Sequence, residues 1–360
     1  MSAGSAAARA LPREPTAHPD ADPGPAALMD CLMGFVRTHA LRAALAAGLP
    51  EALGERAMSA AELAAACGTE PRAMLRLARC LAEAGTLVQT ADGRFALSAW
   101  GHGLRAGVPG SARAYIEYVV DHVAPSARHL PELLRSGRAG APFERENGRD
   151  FFAHFAGDPT AGAAFDAAMA ATLAAVRAAV VEQDWAGVAS VVDVGGGNGS
   201  LLAALLGRHR HLRGVLAEQP HVLPGAARVL DAAGVTGRVR LQECDFFTAV
   251  PAGADRYLLA RVLHDWDDGS ALRVLAAVRA ALPPHGRLQV VELVLGRDSG
   301  WTMAYDLMMG MLLPGHERTA AEWRALLGEA GLVLERIDPA GWRGSILTCR
   351  AAPTEPGLRA

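Results

Sequence analysis

The chain has 360 residues, 51% of them apolar and 20% charged, with a formal net charge of -3. This length allows two domains with a large core, and the weak negative charge argues against a general nucleic-acid or anionic-membrane binder. The five cysteines, Cys31, Cys67, Cys80, Cys244 and Cys349, are scattered without any CxxC spacing. We therefore expect a reduced, cytoplasmic protein with neither a disulfide framework nor a zinc site.

Residues 1–27 consist mainly of Ala, Pro, Gly and charged residues. This composition predicts a disordered lead-in and not a signal peptide. No uninterrupted apolar run reaches the length of about 18 residues that a membrane span needs, so no such span is expected.

The first domain is predicted over residues 28–105. Apolar residues recur at helical spacing from 28 to 48, and Ser59 with Glu62 forms a capping box before the next helix. A further helix opens near Thr69 and Pro71, and an alternating segment turns at Asp92-Gly93, a hairpin signal. Two helices followed by a hairpin predict a winged helix-turn-helix.

Arg72, Arg76 and Arg79 lie on one face of the second helix of this motif. Such a face is either a DNA-recognition helix or the solvated side of a packing domain. The negative net charge of the chain favours the packing domain.

The remainder of the chain is predicted to be a helical connector over 106–187, an α/β domain over 188–353 and a tail over 354–360. Apolar strands are predicted at 190–194, 213–218, 238–245, 256–260 and 287–295, with a closing pair near 332–338 and 345–350. Helices are predicted between them at 200–209, 221–233, 271–282 and 320–330. This alternation predicts a Rossmann-like, doubly wound and mostly parallel sheet, which binds ligands at the carboxyl ends of its strands.

A glycine loop follows the first strand of this domain. Gly195, Gly197 and Gly199 fit G-x-G-x-G, but the sixth position of the dinucleotide motif G-x-G-x-x-G is Ser200. Asp193 precedes the loop, and a carboxylate there opposes a pyrophosphate but favours a ligand with a cationic centre. Its alternative role is to cap or orient the loop.

Acidic residues also end the next two strands. Glu218 is placed to bind ribose hydroxyls, Asp245 to accept from an exocyclic amine, and Phe246 to provide an apolar wall for a base. Acids at three strand ends, a glycine turn and an aromatic shelf suit S-adenosylmethionine, which carries a positive sulfonium and no phosphate.

The motifs VVDVGGGNGSLL, GVLAEQPHV, ECDFF, RVLHDWDD, VVEL and GHERTAAEWRALLGEAGL occur in this order. Together they resemble the S-adenosylmethionine-dependent O-methyltransferases of the plant caffeate type and their bacterial natural-product relatives, from about residue 28 onward. The resemblance implies a seven-stranded mixed methyltransferase sheet behind a winged-helix domain that forms a homodimer and does not bind DNA. It also implies S-adenosylhomocysteine as a product.

The resemblance assigns the cofactor residues by position. They are Gly195, Gly197, Glu218, Asp245, Phe246 and Arg261, the last near the sulfonium, and the charge argument above adds Asp193 to them.

His264 follows the fourth strand at the ligand-binding edge of the sheet. A phenol has a pKa near about 10, so a neutral imidazole that removes its proton makes it a better nucleophile. The resemblance implies that His264 is this general base, flanked by the carboxylates of Glu292 and Glu317. Asp265, Asp267 and Asp268 are predicted to cap the next helix, and no metal site is expected from them.

Phe165, Met169 and Met309 match family positions that line the acceptor, and they are equally compatible with ordinary core. The substrate is therefore predicted to be an aromatic hydroxyl compound, such as a natural-product phenol. Three alternatives are a DNA-binding regulator, a nicotinamide oxidoreductase, and a family relative with other chemistry such as hydroxylation. A DNA-binding regulator would leave His264 without a role, and a nicotinamide oxidoreductase would leave the strand-end acids without one. The presence of His264 disfavours the third alternative.

Overall fold

The fold is described from a computed structural model that covers residues 24–108, 110–297, 300–341 and 344–353. The predicted tail lies outside these residues, as does most of the predicted lead-in. The first helix begins at Gly24, four residues before the boundary expected from the apolar pattern.

The front domain is the expected winged-helix arrangement. It comprises α1 (Gly24–Ala46), α2 (Leu49–Leu53), α3 (Ala60–Cys67), α4 (Pro71–Glu83) and the antiparallel hairpin β1 (Leu87–Gln89) with β2 (Phe95–Leu97). The capping box is confirmed, because Ser59 Oγ accepts from the backbone of Glu62 while the Glu62 carboxylate accepts from the backbone of Ser59. The N-cap of α4 is Glu70, whose carboxylate accepts from two backbone N–H groups, and not Thr69.

The connector is mostly helical, as predicted. It comprises α5 (Arg113–Tyr118), α6 (Leu130–Ser136), α7 (Ala141–Asn147), α8 (Phe151–Gly157) and α9 (Pro159–Val181), with a π-helical turn over Val119–Val123 and a 3-10 turn over Ala124–His129. A 3-10 turn over Gly101–Leu104 precedes it at the end of the front domain. Asp158 caps α9 with its side chain, and Pro159 occupies the first helical position. This long helix leads directly to the sheet.

The third part is a seven-stranded mixed sheet with helices between its strands. Its strands are β3 (Ser190–Val194), β4 (Arg213–Glu218), β5 (Val239–Glu243), β6 (Arg256–Ala260), β7 (Arg287–Glu292), β10 (Leu332–Pro339) and β11 (Ser345–Ala351). The spatial order is β10-β11-β7-β6-β3-β4-β5, parallel from β7 to β5 and antiparallel at β11 and β10. The helices are α10 (Ser200–Arg208), α11 (Leu223–Ala232), α12 (Asp268–Ala281), α13 (Thr302–Leu312) and α14 (Ala320–Glu329), and 3-10 turns cover Thr236–Arg238 and Leu263–Asp265.

Two features differ from the predicted elements. The strand predicted over 287–295 leaves the sheet at Glu292, and its end becomes β8 (Val294–Leu295), which pairs in parallel with β9 (Arg318–Thr319). The predicted elements also lack α13. This helix has no side-chain N-cap, and it carries apolar residues on exposed and buried sides alike, so neither of the usual signals marks it.

Both faces of the sheet are covered by apolar cores. Val191 and Val192 are consecutive on β3, and they belong to the cores on opposite faces. Burial on both faces explains why the central strands are nearly continuous apolar runs. Polar side chains are consequently concentrated where the strands end. Within the described ranges, no helix combines the length and the apolar character that crossing a membrane requires.

Candidate active site

Charged side chains stand in sequence along the carboxyl edge of the sheet. Across β7, β6, β3, β4 and β5, they are in order Glu292, Arg261, Asp193, Glu218 and Asp245. The strand order reverses between β3 and its neighbours β4 and β6, which is the point where open α/β sheets bind ligands. The predicted cofactor acids thus lie on one side of this point, and the predicted base and its glutamates on the other.

The glycine loop connects these two sides. Gly195, Gly197 and Gly199 have φ of 65°, 55° and 73°, a left-handed backbone that disfavours other residues. A Cβ at Gly195 would lie 3.1 Å from Val262 and 3.4 Å from Phe246, whereas one at Gly197 would meet nothing within 4 Å. The loop therefore packs tightly against the turn that follows β6, and its backbone is open at Gly197.

Asp193 lies beneath this loop and is completely buried. Neither of its carboxylate oxygens has a hydrogen-bond partner. Burial, and secondarily the charge of Glu218, raises the pKa of Asp193 to about 7. An unsatisfied buried carboxylate is costly, and a nearby cationic ligand would stabilise its ionised form. This observation fits a ligand that carries positive charge.

Glu218 and Asp245 bind backbone at their own strand ends. Glu218 accepts hydrogen bonds from the N–H groups of Gly197 and Gln219, at 3.0 and 2.7 Å, and so holds the glycine loop. Asp245 is exposed and accepts from the backbone of Phe247. Phe246 beside it is buried, with its ring centroid 6.3 Å from that of Trp266. The role of Phe246 as a wall for the base of the cofactor stays a prediction.

His264 lies in the 3-10 turn directly after β6, and it is buried. Its Nδ1 is 2.7 Å from Oε1 of Glu317, and its Nε2 is 3.4 Å from Oδ1 of Asp265. Glu317 is anionic and accepts, so Nδ1 carries the hydrogen. The structure brings together the histidine and the glutamate that are 53 residues apart in sequence.

The side chain of Glu292 accepts hydrogen bonds from the backbone of the same turn. Its Oε1 accepts from the N–H groups of Val262, Leu263 and His264, at 2.9, 3.0 and 3.4 Å. Its Oε2 faces Nδ1 of His264 at 3.8 Å, beyond hydrogen-bond distance. Glu292 therefore holds the turn, and Glu317 holds the ring.

These charges shift one another's pKa values. Burial lowers the pKa of His264, and Arg261 adds to this effect, but Glu292 with Asp265 and Glu317 outweighs both and raises the pKa to about 9. Burial raises the pKa of Glu317, but the charge and the hydrogen bond of His264 bring it below its ordinary value. The ion pair of imidazolium and carboxylate is thus the favoured resting state near neutral pH.

Sequence reasoning missed two residues that shape this turn. Arg318 is completely buried and donates to the carbonyls of Leu263 and Trp266, at 3.1 and 3.0 Å. Gly315 runs so close to the turn that a Cβ would lie 2.0 Å from the carbonyl oxygen of His264. The GHER segment belongs to one of the family motifs, but only the tertiary contacts explain why it needs a glycine and an arginine.

The three aspartates after His264 have separate roles. Only Asp267 caps α12 as predicted, accepting from the backbone of Ser270 at 2.7 Å. Asp268 pairs with Arg318 at 2.7 Å. Asp265 turns back to His264, and burial raises its pKa to about 6. The close spacing of the three residues in the sequence does not indicate that they have different partners.

Phe165, Met169 and Met309 lie in one apolar cluster, which also contains Tyr118 and Phe155. The rings of Phe155 and Phe165 are stacked with centroids 5.0 Å apart. The cluster is formed by the connector helices and α13, and Tyr305 on α13 links it to the guanidinium of Arg261 at 2.9 Å. The three predicted acceptor residues are therefore neighbours, next to the charged residues of the site.

His264, Glu292 and Glu317 also form the kind of cluster that metal ions use, with candidate ligand atoms within 4.8 Å of one another. However, an Arg261 nitrogen already lies 3.6 Å from Glu292 and 3.9 Å from Glu317. A metal ion would have to share these carboxylates with a fixed positive charge, so the donor set does not fit one. The expected lack of a metal stays a prediction.

A histidine, its carboxylate partner and a glycine loop thus lie at one edge of the sheet, in a chain that two family models match. A family model described as the O-methyltransferase domain matches residues 127–333, and one for the O-methyltransferase dimerisation domain matches residues 29–102. The chain belongs to the O-methyltransferase family.

Individual relatives are similar to this O-methyltransferase over most of their length. The O-demethylpuromycin-O-methyltransferase of Streptomyces alboniger is 36% identical, over 86% of this chain and 84% of that protein. A methyltransferase of calicheamicin biosynthesis, solved with S-adenosylhomocysteine bound, has a TM-score of 0.82 at 35% identity, covering 91% of this chain and 98% of that one. An O-methyltransferase from neocarzinostatin biosynthesis, solved with S-adenosylmethionine and 2-hydroxy-5-methyl naphthoic acid, has a TM-score of 0.73 at 30% identity, covering 89% and 98%.

Membership of the O-methyltransferase family confirms the resemblance drawn from the motifs, the predicted fold and the predicted enzyme class. The enzyme class carries S-adenosylmethionine as its methyl donor, as predicted. The roles of the individual site residues stay predictions.

Proposed function

We propose that this O-methyltransferase methylates a phenolic hydroxyl of an aromatic natural product, with His264 as the general base. The observation that carries the proposal is the 2.7 Å contact between His264 Nδ1 and Glu317 Oε1 in a buried turn at the ligand-binding edge of the sheet. A histidine oriented by a carboxylate is the arrangement used to remove a proton from a weakly acidic hydroxyl.

The residues at the ends of β3, β4 and β5 suit the cofactor. S-adenosylmethionine, when bound, supplies a methyl group on a positively charged sulfur. Asp193 and Glu218 place negative charge next to the glycine loop, and the backbone is open at Gly197. Phe246 and Asp245 would hold the adenine of the cofactor. Phe246 offers an apolar wall, and Asp245 offers acceptor oxygens at the surface.

His264 would receive the proton at Nε2. Nδ1 carries the hydrogen that is donated to Glu317, so the deprotonated ring, which is the minor form near neutral pH, has its lone pair on Nε2. The proton of the acceptor hydroxyl would move to this nitrogen as the oxygen becomes nucleophilic. The resulting imidazolium is stabilised by Glu317 and Glu292, since both carboxylates face the ring.

An aromatic acceptor suits the cluster that contains Phe165, Met169 and Met309. Its side chains present aromatic faces and flexible thioethers, which conform to planar rings. The neocarzinostatin relative was solved with a hydroxylated naphthoic acid, and this supports the same acceptor class here.

Substitution of His264 by alanine tests the proposal. We expect the turnover number with a weakly acidic phenol to fall by roughly a hundred- to ten-thousand-fold, while the Kd for S-adenosylhomocysteine stays the same. The acidic limb of the pH profile should disappear. The matched control is His285→Ala, because His285 is exposed near the opposite edge of the sheet. Near-normal turnover by His264→Ala with an unchanged pH profile would mean that positioning alone drives the reaction.

We further propose that the enzyme is a homodimer through α1. This helix exposes Leu28, Met29, Leu32, Met33, Phe35 and Val36, with 62% of Leu28 and 64% of Phe35 exposed. A contiguous apolar face of this kind is typical of an interaction surface, and it lies in the segment matched by the dimerisation-domain model. Leu32→Glu with Phe35→Glu should give a monomer in sedimentation, while Leu241→Glu on the edge strand β5 should not. A wild-type monomer at micromolar concentration would contradict the proposal.

The five cysteines are all free thiols. Free cysteines are usual in a reducing compartment, where disulfides are rare. We therefore propose that the enzyme is cytoplasmic, and fractionation of the producing cells would test this.

A further inference from the structure

Arg261 has an unusual backbone. It is the only non-glycine residue with positive φ in the part of the chain that the structure describes, at 59°. This conformation costs about 1 kcal/mol or more and is kept where the surroundings demand it. Arg261 follows directly on β6, and its N–H donates to the carbonyl of Val291 at 3.0 Å. The backbone is therefore held by the sheet, and the strain suggests that the direction of the side chain matters.

The guanidinium is held by a tyrosine and faces two carboxylates. Nη2 donates to the hydroxyl of Tyr305 at 2.9 Å. Nη1 lies 3.6 Å from Oε2 of Glu292 and 3.9 Å from Oε1 of Glu317, beyond hydrogen-bond distance of both. Nη1 and Glu292 Oε2 are buried without a hydrogen-bond partner. Arg261 thus adds positive charge beside the glutamates without donating a hydrogen bond to either.

Charged groups face His264 from every neighbouring element. Glu292 ends β7, Glu317 precedes β9, Asp265 lies in the same turn, and Arg261 follows β6. Behind them, Arg318 on β9 and Asp306 on α13 contact the turn and the backbone of Glu317. Among the groups nearest the ring, Arg261 is the one that opposes the three carboxylates.

We infer that Arg261, held in place by Tyr305, is a positioning residue that sets the basicity of His264 by offsetting one of its two glutamate charges. The inference rests on the proposed role of His264 as the base. It differs from the role that the family resemblance implies for Arg261, a contact to the cofactor near its sulfonium. A guanidinium that faced a sulfonium would repel it, whereas one that faces two buried carboxylates is stabilised.

Tyr305 has a separate task in this arrangement. A guanidinium bound directly to Glu317 would compete with His264 Nδ1 for the same oxygen, Oε1. The hydrogen bond to the Tyr305 hydroxyl keeps the guanidinium at its present distance. Loss of that hydroxyl should bring the positive charge closer to the carboxylates.

Replacing Arg261 and replacing Tyr305 should therefore shift the pH dependence of turnover in opposite directions. In Arg261→Met, the unopposed glutamates should move the acidic limb up by roughly one pH unit, so that turnover at pH 7 falls about tenfold while the high-pH plateau is kept. Arg261→Lys, which keeps the charge, should show little of this shift. In Tyr305→Phe, the limb should move to lower pH.

Arg256→Met is the matched control, because Arg256 begins the same strand at its opposite end. NMR titration of the His264 imidazole in the ligand-free variants gives a second readout that does not depend on catalysis. Parallel shifts of the NMR titration and the kinetic limb are expected.

Two results would overturn the inference. One is an Arg261→Met enzyme whose imidazole titrates as in the wild type but whose Kd for S-adenosylhomocysteine rises, which would make Arg261 a cofactor contact. The other is a shift in the same direction for Arg261→Met and Tyr305→Phe, as general loosening of the site would give. Failure of the proposed function is distinguishable, since it appears as an unchanged pH profile in His264→Ala.

Discussion

Substitution of Glu317 by glutamine tests the partner of the base without removing the base itself. Glutamine retains the size of the side chain, and its amide oxygen can still accept from Nδ1 of His264. What changes is the charge, because a bond between an imidazolium and a buried carboxylate becomes a bond to a neutral amide. The two carboxylate contacts at stake are the 2.7 Å bond to Nδ1 and the 3.9 Å approach of Arg261.

The magnitude follows from the difference between charged and neutral hydrogen bonds. A hydrogen bond to a charged group contributes about 1.5–3 kcal/mol, against about 0.5–1.5 kcal/mol for a neutral one. The imidazolium that forms as the proton is transferred thus loses about 1–2 kcal/mol of stabilisation. At the high-pH plateau, the turnover number should fall roughly 5- to 30-fold.

The change in the pH profile should partly offset the plateau loss at neutral pH. Glu317 raises the pKa of His264, so its neutralisation lowers that pKa from about 9. A larger fraction of the variant is then unprotonated at neutral pH. The profiles of variant and wild type should therefore converge as pH falls.

The assay is initial-rate methylation of a weakly acidic phenol from roughly pH 6 to 10, a range that includes the titration of His264 in the wild type and in the variant. The control is Glu329→Gln. Glu329 is exposed at the end of α14 and should have no effect. Refutation would come from a limb that moves to higher pH, or from a plateau loss as large as that of His264→Ala. Either result would mean that Glu317 does not act through the charge of the imidazolium.

Two further predictions concern the packing around the site. Gly315→Ala should lower turnover far more than Gly207→Ala, because the new Cβ would meet the backbone of His264 at 2.0 Å, whereas that at Gly207 meets nothing within 4 Å; comparable rates in the two variants would contradict this. Asp193→Asn should stabilise the ligand-free enzyme more at pH 8 than at pH 5. Burial raises the folded-state pKa of Asp193 from 3.8 to about 7, so the stability contributed by its protonated form is complete below 3.8 and is lost as pH rises through 7. Calorimetry at both pH values measures this, and the same variant should gain less stability from S-adenosylhomocysteine; an equal gain would remove Asp193 from the cofactor site.

The sequence by itself determined the architecture, the order of the domains and the enzyme class. Local signals were sufficient for these features. The strands predicted at 190–194 and 256–260 coincide with β3 and β6, because apolar runs are unambiguous where both faces of a strand are buried. The acids at the strand ends stood out for the same reason, since each interrupts a buried segment. Ordered motifs then identified the methyltransferase class.

Only the tertiary structure decided how the charged residues divide their tasks. Glu292 and Glu317 look equivalent in the sequence, yet one accepts from three backbone N–H groups and the other binds the imidazole. Arg261 sits one residue beyond a strand end, and its left-handed backbone directs it to Tyr305 and the glutamates. Such roles depend on distances between residues far apart in the chain, and in a buried site a difference of about 1 Å separates a hydrogen bond from a longer-range charge interaction.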